Sequence, residues 1–313
     1  MLLHDHSGAI PTGWLAFELS VLRRLRFRSV AIPFVGEPDL AVYLKRWGAR
    51  VAANDPFRWA FTKATAMIEN NTDRLGDGEV ETVLEDAYVP RHKLDNPALR
   101  KWFNETDAWW FDNVRENAEK LDSPCGRALA LTIGMMVGDY VRSFDDETRE
   151  LRQPLSQVFR RIRQTLSPPV NNSQRNTSTN RDAREFIAAQ HTDLLFLRLP
   201  RNRNELASPH NTLPRWREEW LNVGDGFWDE NRKARAGRLG AGGVATKQQY
   251  LRLVEDFLQT AAHLPAWAIA YTEDGFISTG ELVESIDHVR KIETVYTKDF
   301  SELTGARATI ITA

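Results

Sequence analysis

Apolar positions along the chain alternate between two periods, and the changes of period predict an alternating strand–helix plan. Ser29 to Val35 and Ala49 to Asp55 are short apolar runs bounded by turn residues, the signature of strands buried on both faces. Between them, Leu40 to Trp47 carries apolar residues at helical spacing and stops at Gly48, a residue suited to a helix C-terminus. Strand, glycine-containing turn, helix, strand and a terminal acid, Asp55, is the plan of a nucleotide-binding βαβ unit. Trp14 to Arg26 predicts a helix before it. Downstream, the run from Leu194 to Leu199 predicts a third buried strand, closed by a Leu-Pro turn between Arg198 and Arg201. Tyr250 to Ala262 predicts an amphipathic helix, Ala266 to Tyr271 a strand and Thr279 to His288 a helix. Ile292 to Tyr296 and Ala308 to Thr312 predict a final antiparallel pair. The fold class is therefore α/β, and the ligand of such a sheet is expected beyond the carboxyl ends of its strands.

The stretch from Gly76 to Arg149 has a different character. It clusters Trp102, Phe103, Trp109, Trp110 and Phe111 without strand alternation, and Ala128 to Val141 is a strongly apolar helix. A helical insertion is expected here, its tryptophans serving as core. From Arg149 to Arg184 the chain is locally basic, and residues 167–179 are polar enough to predict a mobile loop. Such a loop suits phosphate contacts or a plain solvated linker. Residues 232–238 add Arg232, Arg235 and Arg238 beside glycines.

Composition changes this picture in few places. A formal net charge of −2 over 313 residues gives no global field for nucleic acid, so any basic surface must be local. The single Cys125 excludes an internal disulfide framework and fits a reducing, cytoplasmic setting. No apolar run reaches the ~20 residues of a membrane span, and the first residues lack the basic-then-apolar order of a signal peptide. His4 and His6 lack a third ligand, and His191, His210 and His263 are isolated, so no metal site is expected.

Four stretches, in order, carry a resemblance to a family. Pro33-Phe34-Val35-Gly36 with Leu40 resembles a methyl-donor turn, and Ala53-Asn54-Asp55 an Asn-Asp at the second strand. Asn180-Arg181-Asp182-Ala183-Arg184-Glu185-Phe186 resembles the acid-containing stretch before a catalytic strand. Ile269 to Ser278 resembles a late strand and its turn. Together they are similar to the Dam-like adenine-N6 DNA methyltransferases. The resemblance implies a Rossmann-like S-adenosylmethionine methyltransferase sheet with helices on both faces. It assigns residues 1–75 and 180–313 to that sheet and 76–179 to a mostly helical target-recognition insertion. It further implies donor contacts at Phe34, Gly36, Asp55 and Asp182.

The departures fall on the residues that carry chemistry. The family's Asp-Pro-Pro-Tyr motif, which accepts hydrogen bonds from a flipped adenine, aligns with Arg198, Leu199, Pro200 and Arg201. Arginine has donors only, and its charge opposes the transient cation formed on the target nitrogen. Glu37-Pro38-Asp39 stands where a second glycine is expected, and His6-Ser7-Gly8-Ala9 lacks the family's early lysine. A catalytically degenerate methyltransferase is therefore expected, acting as a DNA-binding or partner-binding module of a modification, restriction or defence system. DNA contacts are expected from Arg152, Arg160, Arg161, Arg163, Arg232, Arg235 and Arg238. Two alternatives remain open from sequence. One is an active adenine methyltransferase using Asn202, Asn204 or Glu205 as acceptor, and binding S-adenosylmethionine. The other is an anion-binding protein using Arg198, Arg201 and Arg203.

Overall fold

In the computed structural model, the described residues are 13–145, 147–200, 212–230, 238–240, 244, 246–273, 276–300 and 307–313. Seven strands form one mixed sheet: β1 (Ser29–Ile32), β2 (Arg50–Asn54), β3 (Thr177–Thr179), β4 (Leu194–Arg198), β5 (Ala266–Glu273), β6 (Thr294–Asp299) and β7 (Arg307–Thr312). Their spatial order is β3-β2-β1-β4-β5-β7-β6. Pairing is parallel from β3 through β5, and β7 runs antiparallel to both its neighbours. The chain is α/β, as the hydrophobic pattern predicted, and the final antiparallel pair is present.

The helices are α1 (Trp14–Leu22), α2 (Asp39–Arg46), α3 (Arg58–Ala64), α4 (Asp77–Leu84), α5 (Glu105–Ala118), α6 (Pro124–Arg142), α7 (Leu155–Thr165), α8 (Ala183–Ala188), α9 (Thr212–Leu221), α10 (Lys247–Thr260) and α11 (Thr279–Asp287). Side chains alternate across each buried strand, so two apolar cores form, one on each face of the sheet. Leu194 and Phe196 of β4 join the core built with α1–α3, α5–α7 and α9, whereas Leu195 and Leu197 join the core built with α8, α10 and α11. The tryptophans Trp109 and Trp110 are buried, as expected of helical core. Among the described residues, no helix is long and apolar enough to cross a membrane.

Two local features depart from the expected pattern. The polar stretch before residue 180 ends in the sheet's edge strand β3. Asn176 fixes it by accepting from Val51 N (2.9 Å), and Asn172 Nδ2 donates to Ala49 O (2.8 Å). These side-chain amides supply ladder-like bonds that a hydropathy pattern does not register. Helix α9 is the second departure. Its Trp216 and Trp220 lie over Gly138 and Gly134 of α6, a groove that only glycine's missing side chain opens.

Lys45 on α2 is fully buried and donates to Asn70 O at 2.6 Å. Burial pushes its ammonium down to about 8, against 10.5 for a free lysine. The folded pKa lies below the unfolded one, so from about pH 8 to 10.5 the unfolded chain holds the extra proton. Stability should rise with pH across that window. Lys45→Met should stabilise the protein at pH 7 by ~1–3 kcal/mol and abolish that rise. Urea unfolding of both proteins at pH 7 and pH 10.5 checks this; parallel pH profiles would refute it.

Candidate functional site

The strand order reverses between β1 and β4, so the crevice beyond their carboxyl ends is where an open α/β sheet takes its ligand. Asn54, fully buried at the tip of β2, holds the rim of this crevice together. Its Nδ2 donates to Pro33 O and Arg181 O (3.1 Å each), and its Oδ1 accepts from Thr179 Oγ1 (2.7 Å) and Arg181 N (3.0 Å). All four of its hydrogen-bonding positions are thereby used, which locks the loops after β1, β2 and β3 to one another.

The four residues that the resemblance assigned to the donor do converge on this crevice, and each already has a protein partner there. Asp55 accepts from Gly36 N through Oδ2 and from Phe57 N through Oδ1, both at 2.9 Å. Asp182 caps α8 by accepting from Arg184 N (3.0 Å), and it also pairs with Arg238 at 2.9 Å. Phe34 packs near Phe257 and against Gly240: a Cβ on Gly240 would lie 2.9 Å from the Phe34 ring and 3.4 Å from Pro200 Cγ. Gly240 has φ +81°, a left-handed conformation that favours glycine. Gly240 thus packs against the residues that follow β1 and β4.

At the motif position, Arg198 does not turn into the crevice as expected. Its Nε and Nη2 form a bidentate pair with Glu18 of α1, both contacts at 2.7 Å, and Glu18 is fully buried. Leu199 is buried, its N–H bonded to Ala270 O at 2.9 Å, and Pro200 O accepts from the Tyr250 hydroxyl at 2.7 Å. Arg201, Asn202, Arg203, Asn204 and Glu205 lie outside the described residues, as does the 6–9 stretch.

Glu37, in the turn where a second glycine was expected, faces the helical side. It accepts from Lys63 Nζ and from Arg217 Nη1 at 2.8 Å, and Arg217 also pairs with Asp139 of α6. Burial pushes the Glu37 carboxyl up, but Lys63 and Arg217 outweigh it and hold the group below the usual carboxylate range. Glu218 of α9 meanwhile accepts from Arg58 N (3.0 Å) and Trp59 N (2.9 Å) at the start of α3. The β1 turn is therefore tied to α3, α6 and α9 by charge-assisted bonds.

No family model matches the chain, and no curated protein matches it.

The arginines expected to hold DNA are distributed along α7 and its approach, and their charges are largely answered within the protein. Arg152 pairs with Asp107 (2.9 Å), Arg160 with Glu81 (2.7 Å) and Arg163 with Asp77 (2.8 Å). Arg161 donates to Gln153 at 2.8 Å. Arg238 is the partner of Asp182, while Arg232 and Arg235 lie outside the described residues. Among the described residues, no cluster of His, Cys, Asp and Glu is arranged to hold a metal ion. Cys125 is half-buried; burial and the nearby Asp73 and Glu69 push its thiol up, away from the reactive thiolate.

A different basic surface was missed. The run Arg23-Arg24-Leu25-Arg26-Phe27-Arg28 holds four arginines in six residues with no acid, a signal present in the sequence. It precedes β1, at the amino edge of the sheet, and meets the end of α2 and start of β2: Arg50 N donates to Arg28 O at 2.9 Å.

Proposed function

We propose that this protein is a methyltransferase-like fold without transfer activity that binds nucleic acid, as a module of a DNA-modification or defence assembly. The observation that carries the reading is the bidentate Arg198–Glu18 pair at the position of the family's catalytic acid. A base brought there meets a guanidinium already committed to a buried carboxylate, and no side-chain hydrogen-bond acceptor at that residue. The parallel order β3-β2-β1-β4-β5 supports the resemblance, because it is the order of a doubly wound, nucleotide-binding sheet of Rossmann type. The close packing of Gly240 against Phe34 and Pro200, the residues that follow β1 and β4, supports the loss of the donor.

The test is calorimetry of the full chain with S-adenosylmethionine at millimolar concentration, followed by transfer of a labelled methyl group to adenine-containing DNA. No saturable heat and no label in DNA are expected. One-to-one binding with label in DNA would restore the active-enzyme alternative.

A further inference from the structure

We infer that the amino edge of the sheet is a binding surface for single-stranded nucleic acid. This inference rests on the nucleic-acid reading above, but it moves the contact away from the crevice and from α7. Two exposed aromatic rings stand at the end of α2: Tyr43 is 38% exposed and Trp47 37% exposed. Each carries a guanidinium over its ring, Arg46 over Tyr43 and Arg23 over Trp47, both at 5.3 Å from the centroid. Arg24 lies 5.3 Å over the Tyr296 ring of β6, extending the surface along the same edge. Arg26 and Arg28 are exposed beside them.

The charge here is available in a way the α7 charge is not. Among the described residues, none of Arg23, Arg24, Arg26, Arg28 and Arg46 has an ion pair, in contrast to Arg152, Arg160 and Arg163. One acid at this edge, Asp193, has its Oδ2 held by Arg28 N, Ser29 N and Ser29 Oγ at 2.8–3.0 Å. An unpaired guanidinium that neutralises a phosphate frees the counterions condensed on the nucleic acid there, whereas one already paired to a carboxylate gains little. Rings with an exposed edge and a stacked guanidinium offer platforms for unpaired bases, which duplex DNA does not present. Arginines that track a backbone, alternating with rings that stack, are the chemistry of a single strand.

The measurement is fluorescence anisotropy of labelled single-stranded DNA, single-stranded RNA and duplex DNA against the full chain, from 50 to 300 mM salt. The wild type should bind a single strand more tightly than duplex, and the DNA and RNA arms identify which strand is taken. Trp47→Ala should weaken single-strand binding by about 10-fold through lost stacking. The triple variant Arg23→Ala, Arg26→Ala, Arg28→Ala should flatten the logarithmic salt slope by ~2. Arg160→Ala should leave both unchanged. Single-strand binding that survives the Trp47 and triple substitutions, with circular dichroism unchanged, overturns the placement while leaving the nucleic-acid reading intact. Absence of binding to all three probes overturns both, and preference for duplex overturns the single-strand assignment.

Discussion

Replacing Arg198 with alanine is expected to lower the unfolding free energy by about 3–5 kcal/mol, because it strands a carboxylate with no access to water. Glu18 is fully buried and both its oxygens are taken by the Arg198 fork at 2.7 Å. Arg198→Lys retains the charge but not the planar two-point contact, so an intermediate loss should follow. Replacing Glu18 and Arg198 together by methionine should cost far less than either single change, since it removes the desolvated charges as a pair. Urea unfolding of the wild type, Glu18→Met, Arg198→Met and the double methionine variant forms the cycle. A loss below about 1 kcal/mol for Arg198→Ala would mean that the pair behaves as a surface contact. The same result bears on function. Arg198→Asp writes the family's acid back into the motif, yet places two carboxylates together. It should therefore destabilise the protein further and yield no methyl transfer. Recovery of transfer would mean that the crevice remains competent and only the acid was lost.

The second large effect lies where α9 meets α6. A Cβ at Gly138 would stand 2.2 Å from the Trp216 ring and one at Gly134 2.4 Å from the Trp220 ring, separations that no side chain tolerates. Glycine inside a helix costs about 1 kcal/mol relative to alanine, so on an open helix surface Gly→Ala stabilises. Here the sign reverses: Gly138→Ala and Gly134→Ala should each destabilise by about 1–3 kcal/mol, through displacement of a fully buried indole. Gly78 on α4 supplies the control, because a Cβ there meets nothing within 4 Å. Gly78→Ala should be neutral or slightly stabilising. Trp216→Ala, which leaves a cavity in place of a fully buried ring, should cost about 3–5 kcal/mol. Thermal unfolding of the set is sufficient; a stabilised Gly138→Ala would mean that α9 does not sit in this groove.

These two contacts also separate what a linear pattern can and cannot carry. Hydrophobic period located β1, β2, β4, β5, α2, α6, α10 and α11 close to their observed bounds. Burial of alternating or helically spaced side chains is a local property of the residues that show it. The loops that carry Phe34, Gly36, Asp55 and Asp182 are held together at the ends of β1, β2 and β3 by Asn54 and Asp55. What the sequence alone determined, then, is the α/β class, the order of its elements and the absence of an acid at residue 198. Tertiary structure decided which charges are free. Arg198 finds Glu18 across 180 residues, and Arg152, Arg160 and Arg163 find carboxylates on helices α4 and α5. Among the described residues, the arginines of the 23–28 run find none. Tertiary structure likewise decided that two glycines four residues apart on α6 would receive two tryptophans four residues apart on α9. Each spacing is legible singly, but complementarity between distant segments has no local period, since it arises only when packing brings the two surfaces together. A guanidinium's field depends on the partner standing a few ångströms away, and that partner is chosen by the fold.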